Sequence, residues 1–504
     1  MSITSLIKPL FLRRIKAWRG KAIRPEATQC RELQWLLHRA AATLQGQTYG
    51  YSSIRTYEDF KNKVPVSQYP DIRHLVERII NGERDILWPG RTTHFAQSSG
   101  TSDGKSKYIP ITGDSFKRTH YQGGFDVVAH YLDLYPDSRI FDGRSFILGG
   151  SYANELTLPK NVVVGDLSAN LIDNINPLVN LVRIPSKRIA LMEDWQEKLP
   201  ALVEASIGRD VTNISGVPSW FLAVIKEILK KTGASTIHEV WPNLEVFFHG
   251  GISFEPYRET YSHITDSSRM RYLETYNASE GFFALRTDVD DPSLTLLTDL
   301  GIFFEFVPLG QENEKYPEAL GAWQVTPGET YSLVISGCNG LWRYAIGDTV
   351  TVTSVNPLKI VIAGRTKHFI NAFGEELMVH NAEAAIARTC SEMACEVVNF
   401  TAAPVYAGDR TRGRHQWLIE FVCPPADIDE FAERLDKNIQ SENSDYQAKR
   451  SHGLFLDRLS IVVAHEGLFD QWLASTGKLG GQRKVPRLSN DRHIIDDMLA
   501  LNAK

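Results

Sequence analysis

Strand-like apolar runs alternate with helical runs over the first two-thirds of this chain, which limits the folds it can adopt. A strand-like run at 145–150 and a helical run at 217–231 precede two further strand-like runs, at 244–248 and 270–276. Such alternation is typical of α/β architecture, in which helices cover the faces of a sheet. We therefore predict an α/β fold in which the first part of the chain has mixed β-sheets and flanking helices.

Closely spaced strands follow between about 300 and 363, and turn residues rather than helices separate them. Consecutive short strands of this kind pair in an antiparallel arrangement. We therefore predict an antiparallel, β-barrel-like part within the first domain. The predicted strands are 302–307, 330–336, 349–354 and 358–362.

The pattern changes again after residue 365, where helical and strand-like runs mix. A chain of 504 residues is too long for one hydrophobic core, so at least two domains are expected. We predict an N-terminal domain over 1–365 and a small, mobile α+β domain over 366–504, with a hinge near 365–368. The predicted elements of the small domain are a helix at 376–393, strands at 396–402 and 415–423, a helix at 426–440, a strand at 459–464 and a helix at 467–474.

Composition excludes several classes of protein. The net charge of −5 gives no overall attraction to nucleic acid. No apolar run reaches the length of about eighteen residues that a membrane-spanning helix needs. The 5 cysteines are scattered and odd in number, which favours a reducing compartment, and we expect a cytoplasmic protein.

The segment 1–25 is basic, and its apolar positions predict an amphipathic helix. No acidic residue precedes Glu26. Two interpretations stay open: the helix packs on the main body with its basic face in water, or it contacts a membrane surface. The basic residues are Lys8, Arg13, Arg14, Lys16, Arg19, Lys21 and Arg24.

A loop rich in hydroxyls, glycines and lysines lies between two strand-like runs, at 98–107. Glycines let a backbone approach a ligand closely, while hydroxyls, amides and lysines bind phosphate oxygens. The segment predicts a strand–loop–strand unit that holds a polyphosphate, although its composition also fits a solvated turn. It is not a Walker loop, because that spacing is missing and no helix follows. Its sequence is Ser98-Ser99-Gly100-Thr101-Ser102-Asp103-Gly104-Lys105-Ser106-Lys107.

Three later segments carry groups suited to a nucleotide. After a predicted strand, the Tyr276 ring can stack on a flat base, and Glu280 can bind Mg²⁺. Asp348, in a turn between predicted strands, can accept hydrogen bonds from the diol of a ribose. Lys484, in a Gly-rich setting, can reach an anionic intermediate. Taken singly, these segments also fit a strand end with a helix cap, a hairpin turn and a solvated basic turn.

Together and in this order, the four segments resemble the acyl acid–amido synthetases, the family of plant enzymes that conjugate auxin and jasmonate. This family belongs to the adenylate-forming superfamily, with acyl-CoA synthetases and luciferases. The resemblance covers nearly the whole chain, and we expect a bacterial member. The matching elements are Ser-Ser-Gly-Thr-x-x-Gly-x-x-Lys at 98–107, Tyr-x-x-Ser-Glu at 276–280, Tyr-x-x-Gly-Asp at 344–348 and Gln-x-Lys-x-Pro-Arg at 482–487.

The resemblance implies a ligase that joins a small carboxylic acid to ATP, forming an acyl-adenylate, and then to an amine, usually an amino acid. It implies ATP and Mg²⁺ as cofactors, Lys484 and Glu280 as catalytic residues, and Glu280 as the metal ligand. The segment near Lys367 is the implied hinge between the two steps. The implied nucleotide-binding residues are Ser98, Ser99, Gly100, Thr101, Gly250, Gly251, Tyr276, Asn277, Ala278, Ser279, Asp348 and Arg365.

Two positions depart from the family's pattern. Ala345 stands where an arginine commonly follows the tyrosine, which leaves Arg343 as the nearest cation. Asp126 stands where plant relatives can present an arginine to the acid, so either it points elsewhere or the acid binds differently. Candidate acyl-pocket residues by position are Tyr121, Phe125, Val128, 217–221 and His249.

Two alternative functions stay open. The acyl group could pass to coenzyme A or another thiol instead of an amine, and product analysis separates these cases. A nucleotide-binding relative without catalysis is the other alternative, and Ala345 and Asp126 are the features that point to it.

Overall fold

One wide mixed sheet runs through the first domain and contains both its parallel and its antiparallel strands. The computed structural model describes residues 2–98, 107–152, 154, 156–365, 369–406, 412–450, 456–475 and 485–503. The strands, in chain order, are β1 (His94–Ser98), β2 (Lys107–Ile111), β3 (Arg144–Ile147), β4 (Val163–Gly165), β5 (Arg183–Ile184), β6 (Val211–Gly216), β7 (Val246–Gly250), β8 (Arg271–Ala278), β9 (Gly281–Arg286), β10 (Leu294–Leu296), β11 (Ile302–Pro308), β12 (Leu320–Gly321), β13 (Thr330–Gly337), β14 (Tyr344–Val355), β15 (Leu358–Arg365), β16 (Phe369–Ile370), β17 (Leu377–Met378), β18 (Glu396–Val405), β19 (Arg414–Cys423) and β20 (Ser460–Ala464).

Helices cover the sheet and begin and end where local sequence signals predict. The helix predicted at 217–231, for example, begins at Pro218, whose ring suits a first helical turn, and Gly233 follows its end with φ +73°. The helices are α1 (Ile3–Ala22), α2 (Pro25–Ala40), α3 (Leu44–Thr48), α4 (Tyr57–Lys63), α5 (Tyr69–Ile80), α6 (Gln122–Leu134), α7 (Leu167–Asp173), α8 (Pro177–Val182), α9 (Lys187–Ala190), α10 (Trp195–Ser206), α11 (Pro218–Thr232), α12 (Ile237–Val240), α13 (Arg258–Ile264), α14 (Val379–Met393), α15 (Ile428–Glu442), α16 (Ser444–Arg450), α17 (Leu468–Ser475) and α18 (His493–Asn502).

The large sheet has 12 strands in the order β12-β11-β13-β14-β15-β10-β9-β8-β7-β6-β3-β5. The strands from β8 to β5 pair in parallel, and those from β12 to β8 pair antiparallel. The predicted α/β fold with a mixed sheet and an antiparallel part is therefore confirmed.

The antiparallel part is not a separate, closed barrel. The short strand β10 pairs with both β9 and β15, so the hydrogen-bond ladder continues into the parallel strands. β10 was not predicted, because a strand of 3 residues has almost no periodic signal. The barrel-like part is thus a region of the large sheet, with β12 at its outer edge.

Two hydrophobic clusters position the site. The first, here called the interdomain cluster, joins the two domains. It contains Phe221 and Phe247 of the first domain and Phe373 and Trp417 of the second domain. The second, here the hairpin cluster, includes Phe95, Ile109, Phe283 and Ile346 and buries the β1–β2 hairpin against the antiparallel strands. Burial of apolar surface of this kind is the main stabilising contribution to both contacts.

The C-terminal region has the predicted α+β composition. Strands β18, β19 and β20 form a 3-stranded sheet, and α14, α15 and α17 lie within three residues of their predicted bounds. Tyr257 of the first region donates a hydrogen bond to the Ala372 carbonyl oxygen over 2.6 Å. The domain boundary at 365 and the hinge at 365–368 stay predictions, and 366–368 lie outside the described residues.

Helix α1 packs on α6, and Phe11, Ile15 and Trp18 are buried there. The packed interpretation of the basic N-terminal segment is therefore confirmed, with one difference: Arg14 points inward rather than into water. Contact of the outer face with a membrane surface stays a prediction. Within the described ranges, no helix is both long enough and apolar enough to cross a bilayer.

Candidate active site

Two of the predicted nucleotide-binding residues meet directly. The Tyr276 hydroxyl, near the end of β8, donates a hydrogen bond of 2.5 Å to Asp348 Oδ2, near the start of β14, and both side chains are buried. Three strands separate β8 from β14 in the ladder. On a flat sheet, strand spacing would hold the two about 19 Å apart. The antiparallel region therefore curls, and the curl assembles this pair.

Gly250 lies beside this pair at the end of β7, where it pairs with Thr275. A Cβ atom added at Gly250 would lie 2.4 Å from the Thr275 carbonyl oxygen and 3.2 Å from Asn277 Oδ1. Gly251 follows with φ +85°, a conformation that L side chains rarely adopt. The predicted residues Gly250, Gly251, Tyr276 and Asn277 are thus brought together, and only glycine fits at Gly250.

Glu280 lies in the turn of the β8–β9 hairpin, where Ala278 pairs with Gly281. The strand β9 follows, so the helix-cap alternative for this segment is wrong. The Glu280 side chain is buried, and Asn339 donates a hydrogen bond of 2.8 Å to its backbone oxygen. Among the described residues, no group of three or more His, Cys, Asp or Glu could hold a metal. A single carboxylate at this turn fits a Mg²⁺ ion that is bound mainly by phosphates and water.

The predicted phosphate loop joins β1 to β2, which pair antiparallel as far as Ser98 with Lys107. The strand–loop–strand prediction is confirmed on both sides of the loop. Ser98 is described, whereas Ser99, Gly100 and Thr101 lie outside the described residues. Because the hairpin cluster also contains Tyr276, the base of this loop packs on the same core as the Tyr276–Asp348 pair.

Two predicted residues are placed only in part. The backbone of Arg365 pairs with Asp348 across β14 and β15, which brings this position to the nucleotide pair. The structure does not describe the Arg365 side chain. Lys484 lies outside the described residues, although Leu488, shortly after it, is buried in the second domain.

Arg343 does not face the site. Its side chain is fully buried, and its guanidinium group donates to Glu305 over 3.0 Å and to the carbonyl oxygens of Lys61 and Val64 over 2.7 Å. Arg343 is therefore a structural cation. It does not replace the arginine that is missing at Ala345.

Asp126 also faces away from the site. Arg14 of α1 bonds to its carboxylate at 2.5 Å and to that of Asp299 at 2.7 Å. The first of the two possibilities for Asp126, that it points elsewhere, is confirmed. Phe125 stacks on Phe11 of α1 at 4.3 Å, and Val128 packs in the same region. These two were wrong as acyl-pocket candidates, because α1, whose packing the sequence left open, covers that side of α6.

Other acyl-pocket candidates do lie near the site. Val217 is 3.6 Å from the position of a Cβ atom at Gly251. His249 precedes Gly250, is buried, and stacks on Phe254 at 4.4 Å. Burial, with the nearby charges of Arg258 and Arg286, lowers the pKa of His249 to about 3, so its imidazole is neutral at pH 7.

Glu274 is a candidate that the sequence analysis missed. It lies on β8, two residues before Tyr276, and is half-buried. Burial raises the pKa of its carboxyl above the ordinary value. The signal was present, because side chains two apart on a strand share a face, and Tyr276 was already a candidate.

Models of three domains of one family match the chain. The GH3 family N-terminal domain matches residues 14–270, the GH3 family central domain matches 295–365, and the GH3 family C-terminal domain matches 380–493. The hinge that we predict at 365–368 lies between the central and C-terminal matches.

Curated relatives are similar over most of their length. An indole-3-acetic acid-amido synthetase, GH3.4 of Arabidopsis thaliana, is 24% identical, and the match covers 92% of this chain and 89% of the relative. The jasmonoyl–L-amino acid synthetase JAR4 of Nicotiana attenuata is 23% identical, with 90% and 89% covered. Both relatives are plant proteins, and the bacterial origin that we expect stays a prediction.

Solved structures share the fold. The AtGH3.15 acyl acid amido synthetase in complex with 2,4-DB has a TM-score of 0.62 at 18% identity, with 97% of this chain and 95% of that chain covered. A 2-hydroxyisobutyryl-CoA ligase in complex with 2-HIB-AMP and CoA has a TM-score of 0.56 at 13% identity, with 95% and 92% covered.

Proposed function

This chain belongs to the GH3 family, and on that premise we propose that it activates a carboxylic acid with ATP and transfers the acyl group to an amine, with an amino acid as acceptor. A free carboxylate is a poor electrophile, whereas its mixed anhydride with AMP carries a good leaving group. The names of the curated relatives, amido synthetases of indole-3-acetic acid and of jasmonic acid, support this chemistry.

In the first step, a carboxylate oxygen attacks the α-phosphorus of ATP and pyrophosphate leaves with the electrons of the broken P–O bond. Catalysis of such a step depends on positioning and on neutralising charge. The loop 98–107 binds the phosphates through its hydroxyls, amides and lysines. Glu280 holds Mg²⁺, which supplies positive charge to the polyphosphate.

The observation that carries this proposal is the Tyr276–Asp348 hydrogen bond beside Gly250. The Tyr276 ring and the backbone of 277–279 and 250–251 would enclose the adenine, and Asp348 would accept hydrogen bonds from the ribose hydroxyls. The Arg365 backbone pairs with Asp348, and we assign Arg365 to the same nucleotide.

In the second step, the amine attacks the acyl carbon and AMP leaves. Lys484, carried by the small domain over 366–504, neutralises the carboxylate or the α-phosphate oxygens. The hinge at 365–368 lets this domain reorient between the steps. Val217 and the neutral His249 line the acyl side of the site. We place the reaction in the cytoplasm, because all five cysteines are unpaired in the structure.

Exchange of labelled pyrophosphate into ATP tests the first step. With a panel of aromatic and aliphatic acids, we expect acid-dependent exchange that the variant Glu280→Gln loses, while Glu259→Gln, an exposed carboxylate on α13, keeps it. Absence of exchange across the panel, with no detectable ATP binding, would contradict the proposal. Absence of exchange with ATP binding retained would instead favour a nucleotide-binding relative without catalysis.

Transfer to a thiol is the second candidate, because the fold is shared with a ligase crystallised with coenzyme A. Product analysis by mass spectrometry, with amino acids and coenzyme A offered together, separates the two. An amide product supports the proposal, and a thioester alone contradicts the choice of acceptor.

A further inference from the structure

A polar row crosses three neighbouring strands between the two hydrophobic clusters. His249 pairs with Glu274 across β7 and β8, and Thr275 pairs with Leu285, so that Glu274 stands opposite Arg286 of β9. Paired residues share a face, as do residues two apart on a strand. His249, Glu274 and Arg286 therefore lie on the same face as Tyr276, and Glu274 is about 7 Å along the strand from it.

Glu274 has unused hydrogen-bonding capacity. Within the described part of the chain, no hydrogen bond or ion pair reaches its carboxylate, although the side chain is half-buried. Arg286 is close enough to act on its charge, but the Arg286 guanidinium donates to the Asp288 and Val289 carbonyl oxygens, at 2.9 and 2.6 Å. A desolvated carboxylate without a partner is costly, unless a ligand supplies the missing donor.

The charged groups around Glu274 are all identified on the elements packed against it. His249 is neutral, as its lowered pKa shows. Arg258, at the start of α13, is bonded to Glu255 over 2.9 Å and lies over the Phe254 ring. The charge of Glu255 also acts on Glu274, but Glu255 is paired with Arg258. The Glu274 carboxylate, with Arg286 and Arg258 nearby, is thus complementary to a group that carries both an ammonium and a carboxylate.

We propose that Glu274 binds the nitrogen of the acceptor amino acid and takes its proton in the amide-forming step. This inference rests on the proposed function and names a residue for its second half. An amino acid loses one ammonium proton to solvent on entering the site. The neutral nitrogen then attacks the acyl carbon, the C–N bond forms, and the bond from the acyl carbon to the phosphate oxygen breaks. AMP leaves with that electron pair, and one of the two protons on the nitrogen passes to Glu274 while the other stays as the amide N–H.

The matched variants are Glu274→Gln, which keeps the shape, and Glu259→Gln as control. We expect Glu274→Gln to keep acid-dependent pyrophosphate exchange and to lose about 100-fold in amide formation, the usual contribution of a general base. Hydroxylamine is a much weaker base than an amino acid, and its adduct gives up a proton to water readily. It should therefore still be acylated at near the parent rate. Glu259→Gln should match the parent in all three assays.

The pH profile separates this role from a merely structural one. Because the base must be ionised, amide formation by the parent should fall as pH drops through the raised pKa of Glu274. Glu274→Gln should lack this limb while exchange keeps its own profile. Equal amide rates in the variant and the parent would overturn the inference, and so would an equal loss of exchange and amide formation. No exchange by the parent enzyme would overturn the proposed function itself.

Discussion

The Tyr276 hydroxyl donates a hydrogen bond to Asp348 Oδ2 over 2.5 Å, between residues 72 positions apart in the chain. The contact is possible because the antiparallel strands curl, and it holds a carboxylate that the proposed function assigns to the ribose. A buried hydrogen bond to a charged acceptor contributes about 1.5–3 kcal/mol. This pair is therefore expected to control both local structure and nucleotide affinity.

Removing the Tyr276 hydroxyl tests that role. We expect Tyr276→Phe to keep the ring but to weaken ATP binding by about tenfold, because about 1.4 kcal/mol is lost when Asp348 is no longer held. Isothermal titration with ATP measures the change. Tyr316→Phe, at an exposed tyrosine, is the control. Unchanged ATP affinity in Tyr276→Phe would separate the pair from the nucleotide site.

Removing the buried cation Arg343 tests its structural role. Arg343→Met leaves the Glu305 carboxylate buried without its cation, with the Tyr57 hydroxyl as its remaining donor. We expect a loss of about 3–5 kcal/mol in the free energy of unfolding. Chemical denaturation measures it. Arg434→Met breaks an exposed pair with Glu430 and should cost less than about 1 kcal/mol. A comparable small loss at Arg343 would contradict the structural interpretation.

The pair of carboxylates under α1 gives a third prediction. Arg14→Met leaves Asp126 without a cation, and Asp299 keeps only Lys21. We therefore expect α1 to loosen and stability to fall by about 3 kcal/mol. Arg13→Met, at the exposed neighbouring position, should have almost no effect. Protease cleavage near α1, with denaturation as a second readout, checks this, and equal behaviour of the two variants would argue against it.

Buried neutral histidines predict how stability depends on pH. Burial lowers the pKa of His120 to about 4 and that of His130 to about 3. Below pH of about 6.5 the unfolded chain binds protons that the folded chain does not, so stability is present above that value and is lost as pH falls toward 4. Each histidine contributes a slope of about 1.4 kcal/mol per pH unit in this window. Denaturation of the parent at pH 7, 6 and 5 should show the decline.

A variant isolates one of these histidines. His120→Leu should have a shallower decline between pH 6.5 and 4 than the parent, whatever its stability at pH 7. His493→Leu, at an exposed position in the C-terminal helix, should keep the parent slope. A slope that is the same in all three proteins would show that His120 is protonated in the folded state.

Sequence patterns predicted helices and strands well where the element was long enough to show its periodicity. The helix at 217–231 and the strands around 302–307 and 330–336 lie within one or two residues of their predicted bounds. The three-residue strand β10 was missed, and with it the continuity of the sheet, because short strands are defined by their partners rather than by their own residues.

The roles of charged residues were harder to predict than the motifs. The structure brings Tyr276, Gly250 and Asp348 close together, and their role in nucleotide binding stays a prediction. Asp126 and Arg343 kept ambiguous roles until Arg14 and Glu305 were found beside them. The role of a charged residue depends on the groups around it. For Asp126 and Arg343 these groups come from distant parts of the chain.

The chain's order of residues by itself determined the α/β architecture, the motifs and the chemistry that they favour, because periodicity and residue type act over a few positions. Tertiary structure alone decided which carboxylate lies beside Tyr276: Asp126 pairs with Arg14 under α1, while Glu274 shares a face of β8 with Tyr276. The physical reason is that the energy of a charge depends on burial and on nearby partners, and long-range folding sets both.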